Sequence, residues 1–187
     1  MNITITDAPN IGYNLYDPSA CLPIRALGYV ADSCCNSRIF SLLTLGHLHT
    51  LVHELGHAVA YRIITGGDAT IQLSTKSCYG STLFHPGPRQ SSSWGITWIA
   101  LSGPLADAIF STLLIFGALA VQHSLALGLP AVFWMRGELL YAILSAWKED
   151  QGDFGQIASE GWPHLLVASA LLVSICALGI FKLHYGL

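Results

Sequence analysis

The chain has 187 residues, of which 52% are apolar and only 10% charged. A soluble globular domain carries about 25% charged residues, and 8 Lys+Arg with 11 Asp+Glu are too few to cover a water-facing surface. The same balance excludes intrinsic disorder, which needs low hydrophobicity and high charge. A net charge of −3 without any basic cluster excludes nucleic acid as a partner. One domain fits the length, and a lipid bilayer is the expected surrounding.

Residues 1–38 contain Pro9, Pro18 and Pro23 among scattered Asn, Asp and Gly, and read as an extended or loop-rich N-terminal arm. No basic stretch precedes an early apolar run, so no cleavable signal peptide is expected. Residues 39–187 read as the membrane-embedded domain. About 20 apolar helical residues cross a hydrocarbon core of roughly 30 Å. Four windows qualify: about Ile39–Ile64, Trp94–Val121, Leu129–Trp147 and Trp162–Lys182. The expected fold is all-α and polytopic, with about four transmembrane helices. Trp94, Trp98, Trp134, Trp147 and Trp162 sit mostly near the proposed ends, as interfacial aromatics do. Orientation does not follow from charge: Arg25, Arg38 and Lys182 face one way, Arg62, Lys76, Arg89 and Lys148 the other.

The connection at 66–92 opens on Gly66-Gly67. Within it Thr70-Ile71-Gln72-Leu73-Ser74 alternates polar and apolar, as a half-buried strand does. Gly80 and Pro86 then interrupt the pattern, so a short β-hairpin is expected in this loop. Residues 148–161 read as a polar, acidic loop. Cys21, Cys34, Cys35, Cys78 and Cys176 match no zinc-knuckle spacing and read as small apolar residues or one incidental disulfide.

The chemistry lies in the first window, Gly46-His47-Leu48-His49-Thr50-Leu51-Val52-His53-Glu54-Leu55-Gly56-His57. It holds the pattern H-E-x-x-H at His53, Glu54 and His57. On a helix the two histidines stand roughly 40° apart and one turn from each other, so both imidazoles can reach one zinc ion. Glu54 is turned about 100° from His53, poorly placed as a ligand but able to take a proton from a water on the metal. Gly46, His49, Thr50, His53, Glu54 and His57 share one arc of about 140°, while Leu48, Leu51, Val52, Leu55 and Val59 take the rest. A polar stripe on a membrane helix faces a bundle interior or wet cavity. His47 and His49 read as lining that cavity rather than as ligands. A catalytic zinc takes three protein ligands, so one more must come from elsewhere. Asp150 and Asp153 in the acidic loop are candidates, as is Asp107 in the second window. Asp107 can instead pair with Arg136, whereas Glu138, two residues from Arg136, lies on another face.

These residues resemble the site-2-type intramembrane zinc metalloproteases. His53-Glu54-Leu55-Gly56-His57-Ala58 matches the family's first element, and Leu101-Ser102-Gly103-Pro104-Leu105-Ala106 looks like its Gly-Pro element. Asp153-Phe154-Gly155-Gln156-Ile157 looks like the distant Asp-Gly motif. Phe154 separates the Asp from the Gly, and Ser145-Ala146-Trp147-Lys148 stands where the family has Asn-x-x-Pro; Asp150 therefore remains the alternative. Gly66-Gly67-Asp68-Ala69-Thr70-Ile71 followed by Gly80-Ser81-Thr82 resembles a compact subgroup without a PDZ domain.

The resemblance implies one zinc ion per chain held by His53, His57 and Asp153, with Glu54 as catalytic base. It implies hydrolysis of membrane-protein or membrane-associated peptide substrates. An exposed strand near 70–85 can hold such a substrate by strand addition. Two other classes fit the same residues: a divalent-cation transporter using His49, His53, His57 and Asp107 as a relay, and a non-catalytic membrane adaptor with a structural zinc.

Overall fold

A computed structural model describes residues 1–6, 45–74, 79–121, 125–147 and 152–186. The first strand, β1, is Asn2–Thr6, and helix α1 is Gly46–Thr65. Strands β2 (Ala69–Ser74) and β3 (Gly80–Phe84) follow. The remaining helices are α2 (Ser93–Ala120), α3 (Leu125–Trp147), α4 (Gly152–Ser159) and α5 (Trp162–Gly186). The protein is mostly helical, with one small sheet.

Local chemistry sets the ends. Helix α1 stops at Gly66, whose φ of 72° is left-handed and whose N–H donates to the Arg62 carbonyl at 2.9 Å. Helix α2 starts behind Ser92, whose side chain accepts from the Gly95 N–H at 3.1 Å. The sheet order is β1-β2-β3. Strands β2 and β3 are antiparallel, with Ile71 opposite Thr82. The hairpin expected between 66 and 92 is therefore present. Strand β1 joins β2 in parallel, Ile3 opposite Ile71. A strand inside the N-terminal arm is not among the sequence expectations, although Asn2-Ile3-Thr4-Ile5-Thr6 alternates as a strand does. The rest of the arm, from 7 to 38, lies outside the described residues.

Helix α2 is central and touches α1, α3, α4 and α5. Its Leu101, Ala108 and Ile115 meet Ala131 and Met135 of α3, Phe154 and Ile157 of α4, and Ala168, Leu172 and Cys176 of α5. A second, smaller cluster joins Ala58 of α1 to Ala69 and Ile71 of β2, which seats the sheet on α1. The outer faces are apolar too. Ile109, Leu113 and Phe116 on α2 and Leu166, Val173, Leu178 and Phe181 on α5 are exposed.

The sequence predicts four spans. Among the described residues two helices, α2 and α5, are long and apolar enough to cross a membrane. Helix α1 is diluted by its histidines and Glu54, the price of carrying a polar stripe. The prediction of a loop over 148–161 is corrected within it, since 152–159 are helical as α4. Gly152 turns the chain with φ of 72°. The Phe154 and Gly155 amides then donate to Ser145 Oγ of α3, each at 3.1 Å, and cap the new helix from outside.

Candidate metal centre

His49, His53 and His57 are four apart on α1 and share one face. That face packs on α2 at unusually close range. A Cβ on Gly56 would strike the Ser102 carbonyl oxygen and approach Ala106 Cβ to 3.0 Å. A Cβ on Gly103 would strike His57 Nε2 and come within 2.8 Å of His53 Nε2. Gly103 thus leaves room for two imidazole edges against the α2 backbone, which gives the Gly-Pro element a physical purpose.

Helix α4 closes the site. Asp153 Oδ2 lies 3.1 Å from His53 Nε2, and its Oδ1 lies 3.3 Å from His57 Nε2. The three sequence-predicted ligands are therefore brought together, with a donor atom from each within 4.8 Å of the others. Asp153 is itself held: Tyr141 Oη of α3 donates to its Oδ2 and accepts from its amide, both at 3.2 Å. Gly152 allows this approach, because a Cβ there would press on Ser145 Oγ (2.5 Å) and Tyr141 Oη (2.9 Å). Burial opposes charge on Asp153, yet the imidazoles of His57 and His53 hold its carboxyl below the usual carboxylate range.

Tautomers decide whether a cation fits. The Ile99 carbonyl can only accept, so the 2.7 Å contact makes His57 Nδ1 a donor. Asp107 Oδ2 likewise accepts from His53 Nδ1 at 3.0 Å. In neutral rings both Nε2 lone pairs then face the Asp153 carboxylate, acceptor against acceptor. Protons on the rings resolve the conflict, and so does a cation between them. Two ligands about 2.1 Å from one tetrahedral zinc stand about 3.4 Å apart, and the 3.1 and 3.3 Å separations are close to that. Two imidazoles and a carboxylate form an N/O donor set suited to zinc. The carboxylate–histidine pairing of Asp107 with His53 is the usual way an imidazole ligand is oriented.

Glu54 is buried beside these ligands and belongs to the hairpin's underside. Thr82 Oγ1 of β3 lies 2.7 Å from Glu54 Oε2 and 3.1 Å from the Glu54 carbonyl, and donates to either. Gly80 fits against the same side chain, since a Cβ there would come within 3.0 Å of Glu54 Cγ. The carboxylate is restrained by the sheet and not by its helix alone.

Other candidates fall differently. Asp107 is not among the ligand atoms of this centre, and it does not pair with Arg136, which is exposed while Asp107 is buried against histidines. Asp150 lies outside the described residues. His49 lines the interior, stacked on Trp134 at 4.7 Å. Sequence reasoning missed Thr82, Tyr141 and Ser145. The last two are spaced i, i+4 on α3, just ahead of the acidic segment, a pattern that marks one shared face. Comparison with protein-family models, curated proteins and solved structures gave no match.

Proposed function

We propose that the protein is an intramembrane zinc metalloprotease, cleaving peptide bonds of membrane-protein or membrane-associated substrates. The observation that carries this reading is the convergence of His53, His57 and Asp153 around one point, with the adjacent residue Glu54 as a separate buried carboxylate held by Thr82. A zinc ion held by His53, His57 and Asp153 would supply Lewis acidity for activating water and polarising a carbonyl. His53 and His57 are held in the ligand tautomer by Asp107 and the Ile99 carbonyl. Glu54 accepts the proton of the attacking water and delivers it to the leaving amine. Thr82 restrains one oxygen of that carboxylate.

A helical substrate must unwind before its carbonyls are accessible, and its freed backbone groups then need partners. Strand β3 is an edge strand of the sheet and sits over Glu54. An edge offers unpaired N–H and C=O groups to an extended chain. Wide apolar outer faces on α2 and α5 suit a multi-pass protein in lipid.

Glu54→Gln is the test. Zinc content should stay at the wild-type level while cleavage of a transmembrane peptide falls about 10²–10⁴-fold. Unchanged cleavage removes Glu54 from this role. One observation favours the transporter instead: the buried polar line continues from His57 through His53 and Asp107 to His49. Metal flux into proteoliposomes with no peptide hydrolysis would select that alternative.

A further inference from the structure

The polar line does not end at the centre described above. Behind His53, on the side of Nδ1, three helices bury polar groups that have no hydrogen-bond partner. Both ring nitrogens of His49, Asp107 Oδ1, Ser111 Oγ and Glu138 Oε2 are of this kind. His49 is 0% exposed, Asp107 2%, Ser111 0% and Glu138 5%, so bulk water does not satisfy them. Leaving such atoms unpaired costs their full desolvation, most of all for charged groups. Two buried carboxyls on apolar helices must share a proton or be compensated by positive charge.

Asp107 has neighbours of this kind on two sides. His49 Nδ1 is 3.6 Å from Asp107 Oδ1, too long for a hydrogen bond but close to the ~3.4 Å between two ligands of one tetrahedral metal. One carboxylate oxygen each from Asp107 and Glu138 lies within 4.8 Å of the other and of a His53 ring nitrogen. The His49 ring is fixed by Trp134 stacked at 4.7 Å and Phe110 edge-on at 5.1 Å. Asp107 divides its two oxygens: Oδ2 accepts from His53, and Oδ1 is turned toward His49.

We propose a second divalent-cation site at Asp107 and Glu138, with His49 on one side of Asp107 and His53 on the other, adjacent to the His53–His57–Asp153 centre and linked to it through His53. One imidazole and two carboxylates are borderline-to-hard donors, so zinc or manganese-class ions suit the site better than copper(I). The Asp107 carboxylate joins the two sites. It holds His53 in the ligand tautomer through one oxygen and ligates the second ion through the other. Filling the second site therefore fixes Asp107, and with it the His53 ring. The proposal rests on donor geometry and not on peptide hydrolysis.

The test is zinc stoichiometry of the purified full-length chain, by elemental analysis after equilibration with zinc alone and gel filtration. Wild type should hold two ions per chain. Glu138→Gln and His49→Gln should each hold one, as should His57→Ala, and Glu138→Gln combined with His57→Ala should hold none. Circular dichroism melting of each variant identifies any loss of fold, and the near-isosteric Glu138→Gln is the variant best able to keep it. A wild-type count of one that Glu138→Gln leaves unchanged and His57→Ala abolishes overturns the second site and leaves the first standing. A count of one lost in Glu138→Gln but kept in His57→Ala supports the second site and removes the first. Two ions retained by the combined variant overturn the proposal, because they are bound elsewhere.

Discussion

Helices α1 and α5 bury opposite kinds of face. On α1 the buried side chains include His49, Glu54 and His57, while Leu48, Val59 and Ile63 are exposed. On α5 Ala168, Leu172 and Cys176 are buried, and Leu166, Val173 and Leu178 are exposed. Both helices thus turn apolar groups outward; they differ in what they turn inward. A water-soluble helix puts its polar face outside, so α1 is inverted with respect to that pattern. Beyond His164 near its start, which bonds Thr97, helix α5 buries apolar packing surface. Helix α1 holds groups whose worth depends on angles and tenths of an ångström. Substitutions of similar size should therefore act very differently in the two regions.

The sharpest break in the comparison is expected at Gly103, where α2 supports the α1 stripe. Gly103→Ala adds one methyl group against His57 Nε2 and His53 Nε2. Zinc affinity of that centre should fall by roughly 100-fold, at the upper end of effects seen when ligand surroundings are altered. A zinc titration reading the wild-type affinity would show that these rings are not the ligands.

Tyr141→Phe should act less strongly. It removes the hydroxyl that bridges the Asp153 carboxylate and amide, so zinc affinity should drop about 10-fold while the fold is kept. A melting temperature lowered with zinc affinity unchanged would make Tyr141 a packing residue only.

Thr82→Val keeps the size of the side chain and deletes its hydrogen bond to Glu54. About 1.4 kcal/mol of orientation, or tenfold in kcat, should be lost with zinc content unaltered and KM little changed. An equal loss in KM alone would place Thr82 in substrate binding.

The smallest effect belongs to the outer face of α5, and it is best read as a pair. Leu172→Ala empties a fully buried position and should cost about 2–5 kcal/mol of stability in detergent. Leu166→Ala, at 63% exposed, should stay within about 0.5 kcal/mol. If both cost the same, the exposed face of α5 is covered by something other than lipid or detergent.

Much of the candidate site was legible because it is local. The H-E-x-x-H spacing places His53 and His57 on one turn by helix geometry alone, whatever surrounds them. The hairpin was legible for the same reason, through alternation in Thr70–Ser74 and the glycine at position 80. Thr82 was not, because its role depends on how the hairpin docks on α1 across 28 positions of sequence. The helicity of 152–159 was hidden as well: Phe154 and Ile157 three apart are a short signal in eight residues, and the cap comes from Ser145 on another helix.

By composition and periodicity, the sequence by itself determined an apolar helical chain with a polar stripe, two adjacent imidazoles and a neighbouring acid. Those properties are carried by residues a turn or less apart, where covalent geometry leaves few choices. Tertiary structure decided which distant carboxylate faces which ring nitrogen. Asp153 and Asp107 both reach His53, one on Nε2 and one on Nδ1, because α2 and α4 approach α1 from opposite edges of one ring. That division depends on packing at Gly56, Gly103 and Gly152, where the absent side chain matters only once the neighbouring backbone or side chain is in place.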